Sequence, residues 1–130
     1  VVMPAGVVGQ VTDLSGRYAK VQLIIDRNSA VDALVQRTRS RGMIMGSGRK
    51  GCRFEFVLRK QEIEVGDTII TSGLDRIYPK GLRIGWVSKV VRRNSGIFQE
   101  IEITPNVDFH KLEEVLVVLD PPGTGQVTDP

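Results

Sequence analysis

An all-β chain is what the sequence predicts: two small antiparallel β-barrel lobes packed together, with at most one or two short helical turns. Three observations predict it. Period-two alternation of apolar and polar residues recurs along the chain. Fourteen glycines punctuate the alternating runs, as short strands and tight turns require. A strand–turn–strand pattern also occurs twice. "PAGVVGQV" from Pro4 and "PKGLRIGWV" from Pro79 both read Pro-x-Gly and then Gly-x-Val. Downstream, Ser15-Gly16 precedes Tyr18, Val21 and Leu23 at the offsets by which Ser95-Gly96 precedes Phe98, Ile101 and Ile103. Repeats on this scale report on fold. Copies near 4–26 and 79–105 imply two similarly built lobes, whose open edges barrel closure would remove.

The elements follow in order. "YAKVQLII" sets Ala19, Val21, Leu23 and Ile25 on one face against Lys20 and Gln22. After Ser29, "AVDALVQRTR" has Val31, Leu34 and Val35 at helical spacing, with Ser29 available as a cap. "DALVQRT" also alternates, and the strand reading is favoured, with "SRG" turning into "MIMG". "GSGRKG" reads as a hairpin loop, and "RFEFVL" as a strand with Phe54, Phe56 and Leu58 opposite Arg53, Glu55 and Val57. Gly66-Asp67 enters "TIIT", which ends in a turn at Ser72-Gly73 with Gly73 at positive φ; Pro79 to Gly81 makes the next turn. "IFQEIEI" places Ile97, Ile101 and Ile103 opposite Glu100 and Glu102. Asp108 is set to cap one helical turn before "VLVVL", which is apolar on both faces and therefore expected to be central. Residues 121–130, "PPGTGQVTDP", are expected to be a disordered tail.

Composition bounds the function. The chain has 130 residues, a net charge of +3 and a hydrophobic share of 41%. That suffices for a self-standing core and fits an anionic partner without requiring one. Cys52 is the single cysteine, so no internal disulfide forms. No apolar run reaches the ~20 residues that span a bilayer. The abrupt start on "VVMPAGVVG", close to strand-like sequence, reads as a fragment, with any anchor lying upstream of residue 1.

Catalytic readings are weak. Ser72 stands on a Gly-flanked turn after a strand, where a serine can be a nucleophile, and His110 is the only histidine. A triad would have to join them with Asp75 or Asp108. The local "ITSGL" lacks the Gly-x-Ser-x-Gly elbow, so Ser72 reads as turn chemistry. "GSGRKG" matches G-x-G-x-x-G, but strand-like "CRFEFVL" follows where a phosphate-binding loop needs a helix. One histidine and one cysteine form no metal cluster, so neither metal nor cofactor is expected. Arg37, Arg39, Arg41, Arg49, Lys50 and Arg53 make the middle basic. Nucleic-acid binding would add exposed aromatics, whereas Tyr18, Phe54 and Phe98 sit at expected core positions.

"VGDTIITSGLDRIYPKGLRIGWV" brings a family into view. With "PAGVVGQV", "AKVQLIIDRNSAV", "RTRSRGMIMGSG" and "PNVDFHKLEEVLVV" it forms five ordered blocks from about Val2 to Leu119 that resemble the extracytoplasmic β region of the rod shape-determining MreC family. Residues 49–63 match least well. The resemblance implies a double β-barrel region over residues 1–120, likened to chymotrypsin-type double barrels without a working triad. It implies a non-enzymatic, self-associating scaffold on the periplasmic side of the cytoplasmic membrane. That scaffold binds the elongation-specific penicillin-binding transpeptidase and works with MreD, RodA and MreB in peptidoglycan synthesis and rod-shape maintenance. Binding would need a few apolar or aromatic anchors. Phe54, Phe56, Leu58, Tyr78 and Trp86 are the candidates for the partner or self-association surface. A small-barrel nucleic-acid-binding module and a degenerate chymotrypsin-like hydrolase are the competing classes. The scaffold reading implies no nucleic acid.

Overall fold

The computed structural model describes residues 1–92 and 96–119, so the expected tail at 121–130 lies outside the described residues. The ten strands are β1 (Val2–Met3), β2 (Gly6–Val7), β3 (Gly9–Ser15), β4 (Tyr18–Leu23), β5 (Ala30–Val35), β6 (Arg41–Gly46), β7 (Cys52–Glu55), β8 (Thr68–Thr71), β9 (Arg83–Val91) and β10 (Glu100–Pro105). The one helical element among the described residues is a 3-10 turn at Gly48–Lys50.

Six strands close a barrel in the order β10-β7-β6-β5-β8-β9, every neighbouring pair antiparallel. The alternation explains why it closes. Val31, Ala33 and Val35 of β5, Ile44 of β6, Cys52 and Phe54 of β7, Ile69 of β8, Ile84 and Val87 of β9, and Ile101 and Ile103 of β10 are buried in one cluster. Each fully buried large side chain contributes roughly 1.5–3 kcal/mol. The segment for which helix and strand competed is a strand, because β5 pairs on both sides, with β6 and β8.

Both copies of the sequence repeat fold as antiparallel strand pairs. The first copy folds as the β3–β4 ribbon, turning at Gly16 (φ 55), and the second as the β9–β10 hairpin, with Gly96 at φ 90. Gly9 and Gly85 each face a carbonyl of the partner strand, although Gly9 pairs Leu23 while Gly85 pairs Pro105, two places past Leu23's counterpart Ile103. A Cβ on Gly9 would collide with the Gln22 carbonyl oxygen, and one on Gly85 with that of Thr104. The second hairpin enters the closed barrel. The first stays a two-stranded sheet, and β1–β2 form another. The first lobe is therefore built of ribbons beside one closed barrel.

Three local expectations are corrected. "VLVVL" is not a central strand: Val115 to Leu119 are 42–77% exposed, and Val2 pairing Leu116 is its one bridge among the described residues. Asp108 caps a single turn, accepting from His110 N at 3.0 Å, and no helix follows. Alternation in "RFEFVL" reverses at Phe56, whose φ of 63 turns its side chain out. Phe54 and Val57 are fully buried, while Phe56 and Leu58 are exposed.

Candidate functional site

Two surfaces are built by the fold, at opposite ends of the barrel. Neighbouring strands are antiparallel throughout, so β7 and β8 run in opposite directions. The chain leaving β7 at Phe56 and the chain leaving β8 at Ser72 therefore emerge at opposite ends.

The first surface is aromatic. Phe56 and Phe98 meet edge to face, with centroids 5.7 Å apart and planes at 84°. Leu58 bridges Phe98 across the backbone, and Ile97 lies alongside, exposed. Gln99 fixes this arrangement. It is buried, and its side-chain amide donates to the carbonyls of Leu58 and Gln61, both at 2.8 Å. Arg92 Nε donates to Gln99 Oε1 at 3.1 Å. Gln99 thus staples segment 58–61 to the start of β10 and holds four apolar side chains in water. Phe56 and Phe98 border a groove of about 720 Å³ over the outer face of β7 and β10, where Arg53, Glu55, Lys89 and Glu102 alternate in sign.

The second surface is the connection from β8 to β9. Ser72 at its base is buried and donates to Asp32 Oδ1 at 2.6 Å, while Leu74 N donates to Ser72 Oγ at 3.2 Å. Arg41 Nη2 reaches both oxygens of Asp32. The Ser72 hydroxyl is thus directed at a carboxylate already gripped by a guanidinium, not at an imidazole that could take its proton. Gly73 has φ 77, as the turn reading required.

Of the five residues singled out in sequence, Phe56, Leu58 and Trp86 are exposed and Phe54 and Tyr78 are buried. Phe54 lies in the core cluster, and Tyr78 plugs the barrel with its hydroxyl unpartnered among the described residues. Burial, then the charge of Asp75, push the Tyr78 pKa up to about 12. Trp86 sits mid-β9, opposite Thr68 and Thr104, away from the Phe56–Phe98 pair. Phe98, Ile97, Leu74 and Ile77 were missed. Phe98 and Tyr18 were expected inside, yet Phe98 precedes β10 and Tyr18 sits at the ribbon tip, 81% exposed. No periodicity marks such positions.

Three cations of the central basic run are neutralised by carboxylates. Arg37 pairs with Asp67, Arg41 with Asp32 and Arg53 with Glu55. "GSGRKG" forms a hairpin connection from β6 to β7. Burial pushes the Cys52 thiol up to about 12. Among the described residues no group of three or more His, Cys, Asp or Glu could hold a metal, and no helix is long and apolar enough to cross a membrane.

Fold and surfaces together define the class: an all-β small-barrel protein that displays fixed apolar side chains at its barrel ends. The family model described as "Rod shape-determining protein MreC, barrel core" matches residues 1–119, and the chain belongs to the MreC family. The cell shape-determining protein MreC of Listeria monocytogenes is 30% identical over 134 residues, covering 99% of this chain and 45% of that protein. The chain thus spans less than half the length of that relative. The crystal structure of MreC from Pseudomonas aeruginosa superposes with a TM-score of 0.78 at 24% identity, over 81% of this chain and 68% of that one. A complex between penicillin-binding protein 2 and MreC from Helicobacter pylori matches with a TM-score of 0.53 at 23% identity, over 73% of this chain and 54% of that one.

Proposed function

We propose that the chain is part of a non-enzymatic scaffold on the periplasmic side of the bacterial cytoplasmic membrane. It docks the elongation-specific penicillin-binding transpeptidase, self-associates, and works with MreD, RodA and MreB to organise peptidoglycan synthesis and maintain rod shape. Its membrane anchor belongs to the protein outside these residues. Family membership supports this reading, and so does the Helicobacter pylori complex, in which a penicillin-binding protein holds an MreC. The observation that carries it is the Phe56–Phe98 pair. Two aromatic rings, with Leu58 and Ile97, are kept exposed by the buried Gln99 staple. Rigid aromatic anchors already in their bound positions are what an interface hot spot requires.

The test is binding of the purified chain to the periplasmic part of the cognate transpeptidase, with light scattering to follow self-association. Saturable binding is expected, and Phe98→Ala should weaken it by about 2 kcal/mol, or ~30-fold, while melting changes little. Trp86→Ala tests in the same assay whether the exposed Trp86, away from the Phe56–Phe98 pair, is an anchor too. Absence of binding between two folded proteins would sink the docking reading.

A further inference from the structure

The loop between β8 and β9 leaves the barrel and returns through one neck. Thr71 N donates to Leu82 O at 2.8 Å, Gly81 N to Thr71 O at 2.9 Å and Leu82 N to Thr71 Oγ1 at 2.9 Å. Gly73 lies against Lys80, where a Cβ would stand 3.0 Å from that of the lysine. Inside the loop, Asp75 Oδ1 accepts from Ile77 N at 3.0 Å and Tyr78 N at 3.3 Å, and its Oδ2 accepts from Asp32 N at 3.2 Å. Arg76 is held at φ 60, a conformation costly for a residue with a side chain. Tyr78 pins the far arm into the core.

That rigid frame presents an unusual tip. Leu74 is 61% and Ile77 50% exposed. Arg76 and Lys80 of the same loop and Arg83, the first residue of β9, are all exposed, and none has an ion pair among the described residues. The one carboxylate of the loop, Asp75, turns its oxygens inward to backbone N–H groups. The solvent side is therefore apolar and cationic. No residue of 73–80 lines the groove beside Phe56 and Phe98 or the one beside Leu58 and Ile97.

We propose that the β8–β9 loop docks on an anionic lipid surface. Leu74 and Ile77 enter the boundary between headgroups and acyl chains, and Arg76, Lys80 and Arg83 meet lipid phosphates. Aliphatic side chains accompanied by cations match the two attractions of such a surface, and each cation near it adds to binding. A loop closed at its neck and carrying its apolar tips on short turns suits a deformable plane, whereas an acidic peptide would want a groove or a strand edge. The internal hydrogen bonds mean that little conformational entropy is lost on docking. The inference is independent of the docking partner proposed above, because the loop lies at the other end of the barrel.

The experiment is co-sedimentation of the chain with vesicles of phosphatidylglycerol and phosphatidylcholine, compared with phosphatidylcholine alone. Binding to the anionic vesicles is expected, at least about tenfold tighter than to neutral ones. Arg76→Glu with Lys80→Glu, and separately Leu74→Ser with Ile77→Ser, should each weaken it by about tenfold or more. No binding to anionic vesicles overturns the proposal, as does binding indifferent to both pairs of changes. Dependence on the charges alone, with polyglutamate as an effective competitor, would assign the loop to a soluble acidic partner instead. Should a double variant fail to fold, Leu74→Trp in a Trp86→Phe background gives a second reading. Its fluorescence should be quenched by brominated phosphatidylglycerol, and the absence of quenching would refute insertion.

Discussion

The Ser72 hydroxyl donates to the Asp32 carboxylate at 2.6 Å, and Arg41 holds the same carboxylate from β6 at 3.0 and 3.1 Å. Three residues far apart in sequence thus tie the end of β8 to β5 and β6. The bond is part-buried and charge-assisted. Ser72→Ala should therefore destabilise the fold by about 1–3 kcal/mol in urea denaturation. A fluorophosphonate probe should leave native Ser72 unlabelled. Labelling there would mean that a base reaches the hydroxyl after all.

Arg37 and Asp67 meet through two parallel bonds, Nε to Oδ1 at 2.9 Å and Nη2 to Oδ2 at 3.0 Å. The Arg37 hydrogen bond, helped by the Glu64 backbone N–H, holds the Asp67 carboxyl below its usual range in spite of burial. A carboxyl depressed in the folded state adds stability above its unfolded pKa of about 3.9, and that stability fades as pH falls toward the folded value. The melting gap between the natural chain and Asp67→Asn should be widest above about pH 4 and narrow in more acid solution. A gap independent of pH would assign the effect to packing alone.

Tyr78 buries a hydroxyl with no partner among the described residues. Removing an unsatisfied buried group relieves its desolvation. Tyr78→Phe should leave stability unchanged or raise it by about 1 kcal/mol by thermal melting. A loss above that would reveal a partner for the hydroxyl.

Cys52 is 2% exposed, with its thiol 3.7 Å from the Ile24 carbonyl oxygen. A thiol held near pKa 12 in a closed barrel supplies almost no thiolate at neutral pH. Alkylation of the native chain should be slow and should accelerate only where urea opens the barrel. Fast labelling without denaturant would show that the β6–β7 end opens locally.

Alternation made most of the barrel legible in the sequence, because period two survives wherever a strand has neighbours on both sides. β10 hid Ile101 and Ile103 opposite Glu100 and Glu102, and β7 hid Phe54 at its expected core position. It failed where the backbone changed rule without a glycine to announce it. Phe56 takes a left-handed φ and exchanges inside for outside, so Phe54 and Leu58 do not share a face. Ile97 continued the right parity but lies before β10, and the buried member of the series is the polar Gln99. Its role depends on carbonyls 38–41 residues away, which no local pattern encodes. The family was readable from "TSGLDRIYPKGLRIGWV". The outward placement of Leu74 and Ile77 was not, since Asp75 organises that loop through backbone bonds alone.

The opposed directions of β7 and β8 have a mechanical meaning. With strands of four to six residues in β5 to β8, the Phe56 tip and the Leu74 tip are set apart by a strut on the order of 15–20 Å long. A closed hydrogen-bonded cylinder resists shortening and bending, so a load applied at one tip is delivered to the other. The barrel is then a gauge of fixed height, and whatever rests on one end is held at a constant distance from whatever grips the other.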